Sequence, residues 1–197
     1  SNTSGTTTLS ATDEVFIATT GTLNVGTGGT TVSGNNVILN GPISWMGAGD
    51  LTVEADEDVT VTNTLSGGDG NLTITALDDV FFRSIASLNF PDGTITVTAG
   101  RLIEGGRDGV IRFGESGGVE QPTITITAQS ATFTTLSDRI NVDTNVSWTP
   151  TGSAPLTVNA GNDLDIRATI LTTSGSFDFS AGDELEVGEV FNGGTEY

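Results

Sequence analysis

Apolar and polar residues alternate with a period of two in short bursts along the chain, as in Leu51-Thr-Val53 and Val59-Thr-Val61. That period puts every second side chain on one face of an extended segment, so each burst predicts a short strand with one buried face. β-Branched Thr, Val and Ile dominate the bursts and no stretch carries a 3.6-residue period, which argues against helix. Between paired bursts stand residues that favour tight turns, such as Asp56-Glu57-Asp58, Gly161-Asn162-Asp163 and Gly182-Asp183-Glu184.

The bursts recur as a unit of apolar, polar, apolar, any residue, Ala, two turn residues, an acid, then apolar, polar, apolar. The clearest copies run from Leu51 to Val61, Leu72 to Phe82, Leu156 to Ile166 and Phe177 to Val187. Anchored on the small residue, the copies fall at positions 11, 33, 55, 76, 99, 128, 160 and 181, so successive intervals are 22, 22, 21, 23, 29, 32 and 21. Two intervals carry extra residues, which predicts longer coils at about 104–122 and 137–155. A unit of this size cannot bury its apolar side alone, whereas stacked units can.

The expected fold is therefore all-β, a parallel β-solenoid of about eight coils of roughly 22 residues, filling 1–197 as one segment. At about 4.8 Å per coil it would form a rod roughly 35–40 Å long. An antiparallel sandwich also shows many short strands with turn signals, but it does not require one residue type at one place in every repeat. Ala at the anchor suits an inner corner where a larger side chain would crowd the turn.

Charge changes the picture of partners. The 197 residues hold 25 acidic and 6 basic side chains, a formal charge of −19, which repels phosphate backbones and argues against a nucleic-acid partner. No apolar run approaches the length of a membrane span, so no membrane insertion is expected. Without Cys or His there is no disulfide framework, thiolate chemistry, imidazole metal site or Ser-His-Asp triad. A hydrophobic content of 35% is too high and too regularly placed for a disordered acidic tail. Ser1-Asn2-Thr3-Ser4 has no basic head and no apolar run behind it, so a secreted protein would be represented here by a mature form or an excised piece.

Units such as Gly70-Asn-Leu-Thr-Ile-Thr-Ala76-Leu-Asp-Asp-Val-Phe-Phe82 and Pro155-Leu-Thr-Val-Asn-Ala160-Gly-Asn-Asp-Leu-Asp-Ile166 resemble the repeats of filamentous haemagglutinin-like bacterial exoproteins. The resemblance covers roughly residues 7–191 and is weakest across the two insertions. It implies a right-handed parallel β-helix, export by two-partner secretion, a place on the bacterial surface, and a role as adhesin or shaft. The partners implied are a glycan or protein on a host or neighbouring cell, or another copy stacked end to end. The Asn-rich secretion domain that opens such proteins is not evident, which places this segment within the shaft. The repeat is longer than that of the best-known member, so the subfamily stays open. The motif is structural, and no functional residue carries over position by position.

Three features could carry chemistry. Three residues after the anchors stand Glu14, Asn36, Asp58, Asp79, Asp163 and Glu184. Stacked carboxylates about 5 Å apart in water repel by roughly 0.8 kcal/mol, and calcium between coils would relieve this. Asp58, Asp79, Asp163 and Glu184 are the carboxylates nearest to such a site, although no metal site is assigned, since Asp and Asn also suit turns for backbone reasons. Thr73, Thr75, Thr94, Thr96, Thr98, Thr123, Thr125 and Thr127 predict outward Thr ladders of the kind seen in ice-binding solenoids. That array looks broken, because equivalent positions hold Glu54, Asn159 and Ser180. Finally, Arg107, Arg112 and Arg139, with Arg101 nearby and Trp148 available to stack on a sugar or peptide, form the candidate binding patch on the longer coils.

No catalytic residue is assigned. Polysaccharide-degrading β-helices use clustered carboxylates, but the only defensible pairing here, Asp138-Arg139, has adjacent residues that point to opposite faces of a strand. The sequence reading is a non-enzymatic adhesin or shaft, with a calcium-stabilised filament and an ice-binding or polysaccharide-degrading helix as alternatives.

Overall fold

A computed structural model describes residues 5–21, 23–25, 27–45, 48–83, 86–101, 109–114, 123–172, 174–192 and 195–196. Among them there is no helix, and strands follow one another from Thr7–Ser10 to Thr195–Glu196. All pairings are parallel except the last, where Phe191 and Asn192 meet Glu196 and Thr195 in antiparallel fashion. The chain winds as a β-solenoid whose successive coils lie about 23 residues apart.

Three ladders run along the rod. The first aligns Leu9, Val32, Val53, Ile74, Val97, Phe133, Val158 and Phe179. The second aligns Ile17, Leu39, Val61, Phe82, Phe113, Val142, Ile166 and Val187. The third passes through Leu23, Ile43, Leu65, Leu88, Ile126, Trp148, Thr172 and Asn192. Each ladder thus has eight layers and seven steps, and the rod makes about seven turns.

The core is the product of the period-two alternation. In Leu72–Ala76 and Val80–Phe82 every second residue is buried. Stacking then places like on like, with Leu51 beside Leu72 and Val53 beside Ile74. Fully burying such a side chain stabilises the fold by about 1.5–3 kcal/mol. Three aromatics thicken the middle of the rod. Phe82 stacks on Phe113 at 5.2 Å between centroids, and Phe133 meets both rings edge-on at 5.8 and 4.9 Å. Such pairs add about 0.5–1.5 kcal/mol beyond their buried area.

The register corrects two anchors. Gly34, not Ser33, pairs with Ala55, while Ser33 faces outward beside Glu54. Ala128 lies in the third ladder between Phe90 and Pro150, and Thr135 takes the anchor position beside Ala99. Thr123-Ile-Thr-Ile-Thr-Ala128 imitates the first-ladder unit because alternation alone cannot tell one ladder from another. The extra length is consequently not shared by two coils. Thirty-six residues separate Val97 from its ladder partner Phe133, while 25 separate Phe133 from Val158. The residues expected to form a second long coil, 137–155, make a nearly ordinary one. Arg107 and most of 104–122 lie outside the described residues; within that span, Ile111–Phe113 sits in the second ladder between Val80–Phe82 and Ile140–Val142.

Corners stack as closely as strands. A Cβ added at Gly182 would lie 2.2 Å from the Gly161 carbonyl oxygen, so only glycine fits where these two corners meet. Thr135 fits its inner corner differently. Its hydroxyl donates to the Asp138 carbonyl at 2.7 Å and accepts the Gly161 amide at 3.0 Å, which satisfies a polar group that is 2% exposed.

Candidate functional site

The acidic column is real and its order is informative. Backbone bonds along one corner connect Asn36, Asp58, Asp79, Val110, Arg139, Asp163 and Glu184 in successive layers, with Glu14 beside Asn36. Carboxylates meet in adjacent layers only as Asp58 with Asp79 and Asp163 with Glu184. Asn36, Val110 and Arg139 separate these pairs, so like-charge repulsion does not accumulate down the column.

The side chains on this corner also have backbone work. Asn36 Oδ1 accepts the Asp58 amide at 3.4 Å, Asp58 Oδ1 accepts the Asp79 amide at 3.1 Å, and Asp79 Oδ1 accepts the Val110 amide at 2.7 Å. A second corner repeats the device. Asp50 Oδ1 accepts the Asn71 amide at 2.8 Å, and Asn71 Oδ1 accepts the Thr94 amide at 2.9 Å. Each side chain thereby caps an N–H at the start of a strand in the next layer. Among the described residues no three carboxylates converge as a metal-holding group.

The expected Arg and Trp patch loses its Trp. Trp148 is an inward residue of the third ladder, 1% exposed, between Ile126 and Thr172. It shares strand parity with buried Val146, so its ring fills core and is closed to a ligand, contrary to the expectation of a stacking platform. Arg112 lies 3.7 Å from Asp143, and Arg167 reaches the same carboxylate at 3.6 Å while also pairing with Asp165. Arg139 Nε bonds Asp138 Oδ1 at 3.4 Å and, with Asp163 and Glu184, borders a shallow cleft of about 140 Å³. Arg101 Nε donates to the Leu77 carbonyl at 3.4 Å, and its own carbonyl accepts the Ser137 hydroxyl at 3.0 Å on the corner that carries Arg139. Arg112 and Arg139 are thus each drawn to an acid in partly exposed pairs.

The Thr ladder differs most from expectation. Thr125 and Thr127 belong to the third ladder, beside Ser87 and Asn89. In their place Thr132 and Thr134 follow Thr96 and Thr98. The outward column of the first ladder then reads Thr8, Thr31, Thr52, Thr73, Thr96, Thr132 and Thr157, seven layers without a break, before Asp178 ends it. The next column, two residues along each strand, holds Ser10, Ser33, Glu54, Thr75, Thr98, Thr134, Asn159 and Ser180. Sequence reasoning missed the unbroken column because it judged the array at Glu54, Asn159 and Ser180, which belong to the second column, while the misplaced anchor at Ala128 put Thr125 where Thr132 stands.

No protein-family model, curated protein or solved structure matches this chain.

Proposed function

We propose that the chain is a non-catalytic shaft segment of a secreted bacterial surface protein of the filamentous haemagglutinin-like type, holding the enlarged coil rigidly for contact with another cell. The observation that supports this reading is the stack itself. Eight layers keep register in three ladders across a coil that carries 36 residues where its neighbours carry 21 to 25. A parallel stack with a continuous apolar core and side-chain caps between layers resists bending. Residues 100–110 and 114–123, on either side of Ile111–Phe113, supply the sequence that varies from the repeat and so the contact chemistry. The partner in this reading is a surface glycan or protein.

Display of the chain on a non-adherent bacterium tests the reading. Adhesion to epithelial or bacterial cells is expected to fall when residues 102–108 and 115–122 are replaced by short Gly/Ser links while the melting temperature holds. Adhesion unchanged by that replacement, or absent from the intact chain, rejects it.

A further inference from the structure

We infer that the outward Thr face of the first ladder is an ice-binding surface, a function separate from the display of the enlarged coil. Seven consecutive layers present Thr in one column, from Thr8 to Thr157. Layers four to six complete a second column, so that Thr73 and Thr75, Thr96 and Thr98, and Thr132 and Thr134 form a block two residues wide and three layers deep. Parallel in-register strands repeat about every 4.8 Å, and side chains two residues apart on one face are separated by roughly 6.6 Å. The coil spacing lies close to the shorter oxygen repeat on the prism face of hexagonal ice, and the two-residue spacing falls somewhat below the longer one. The single Thr column extends the match over six steps, roughly 29 Å.

A second observation points to water as the occupant. Several Thr hydroxyls of the molecule are tied to protein groups: Thr62 to Asn40, Thr94 to Asn71, and Thr135 to Asp138 and Gly161. None of the seven column hydroxyls, nor those of Thr75, Thr98 and Thr134, bonds another described residue. All lie on the solvent side of their strands. Each Thr thus offers a free donor and acceptor beside a methyl group that is fixed by the stiff β-branched rotamer. Regularly spaced hydroxyls order a water layer, and the methyls between them disfavour competing orientations. Charge fits the same occupant, since the Thr column is neutral through seven layers of a chain whose formal charge is −19. Charged side chains would hold their own hydration shells against a lattice. Glu54, in the second column beside Thr75, is the residue that stops the block from reaching layer three.

Ice-affinity partitioning and thermal hysteresis of the 197-residue chain test the assignment. The wild type is expected to concentrate in slowly grown ice and to depress the freezing point below the melting point. Thr96→Tyr and Thr132→Tyr, which break the column, are expected to lose most of both effects with melting temperatures preserved. Thr127→Tyr, on the third ladder, is expected to leave both effects intact. Glu54→Thr extends the block by one layer and is expected to increase hysteresis, a gain that loss of folding cannot mimic. A wild type rejected by growing ice overturns the inference, as does undiminished hysteresis in a folded Thr96→Tyr. Adsorption to crystalline cellulose or chitin without ice activity also overturns it.

Discussion

Asp58 Oδ1 accepts the backbone amide of Asp79, its neighbour one layer along the rod, at 3.1 Å. Two carboxylates therefore stack in adjacent layers because each is an acceptor for the layer that follows, and Asp79 does the same for Val110 at 2.7 Å. From Asn36 to Asp79 the column is first a set of strand caps.

Removing the acceptor and removing the charge should have different effects. Asp58→Ala is expected to destabilise the fold by about 1–3 kcal/mol, because the Asp79 amide loses its partner. Asp58→Asn keeps an acceptor and relieves repulsion, so its stability should stay within about 0.5 kcal/mol of wild type. Urea unfolding of both variants decides the matter. Equal losses would show that the carboxylate charge is needed, as a bound calcium ion would require, and melts in calcium and in EDTA would then separate.

Thr135 offers a parallel case at the inner corner. Thr135→Ser retains the hydroxyl that joins Asp138 and Gly161 and should cost little. Thr135→Val has a similar shape but loses both bonds, leaving the Gly161 amide without its acceptor while the Asp138 carbonyl keeps the Asn162 amide, at about 0.5–1.5 kcal/mol. Denaturation curves that place the two variants together would show that packing alone fills this corner.

Trp148 should behave as a core residue. In a Trp45→Phe background its emission is expected to be blue-shifted in the folded state and resistant to acrylamide, with no change on titration with glycans. Trp148→Ala is expected to cost about 3–5 kcal/mol. Red-shifted, readily quenched emission would place the ring at the surface instead.

Salt should stabilise the rod. With 25 acids against 6 basic residues, net repulsion outweighs the exposed ion pairs of Arg112, Arg139 and Arg167. Raising ionic strength to about 0.15 M shortens the Debye length to about 8 Å, and the melting temperature is expected to rise. A fall on adding salt would mean that the ion pairs dominate.

Much of this architecture was legible in the residues. Alternation in Leu72-Thr-Ile-Thr-Ala76 gave strand and buried face, and its recurrence at Leu51 and Leu156 gave the stack. The misreadings share one physical origin. A period of two distinguishes the faces of a strand but not the ladders of a coil, so Ala128 passed for an anchor and Thr125 and Thr127 for neighbours of Thr96 and Thr98. Only hydrogen-bonded register separates those choices, and it is set by the aligned partners Ala99 and Thr135. The corner bonds of Asp50 to Asn71 and of Asp58 to Asp79 were visible as turn composition, while their direction along the rod needed coordinates. Trp148 was readable from parity with Val146, because both alternate with the outward Ser147.

The long step from Ala99 to Thr135 has an evolutionary meaning. On either side of it the ladders close as though nothing had been added, Val97 against Phe133 and Phe113 against Val142. A layer touches only the layers before and after it, so new chain admitted at one corner is invisible two coils away. Segments admitted there can be gained, lost or exchanged while the layers beyond the adjoining coils keep their packing. Under the proposed display role, the contact chemistry of that coil can change without a change in the spine.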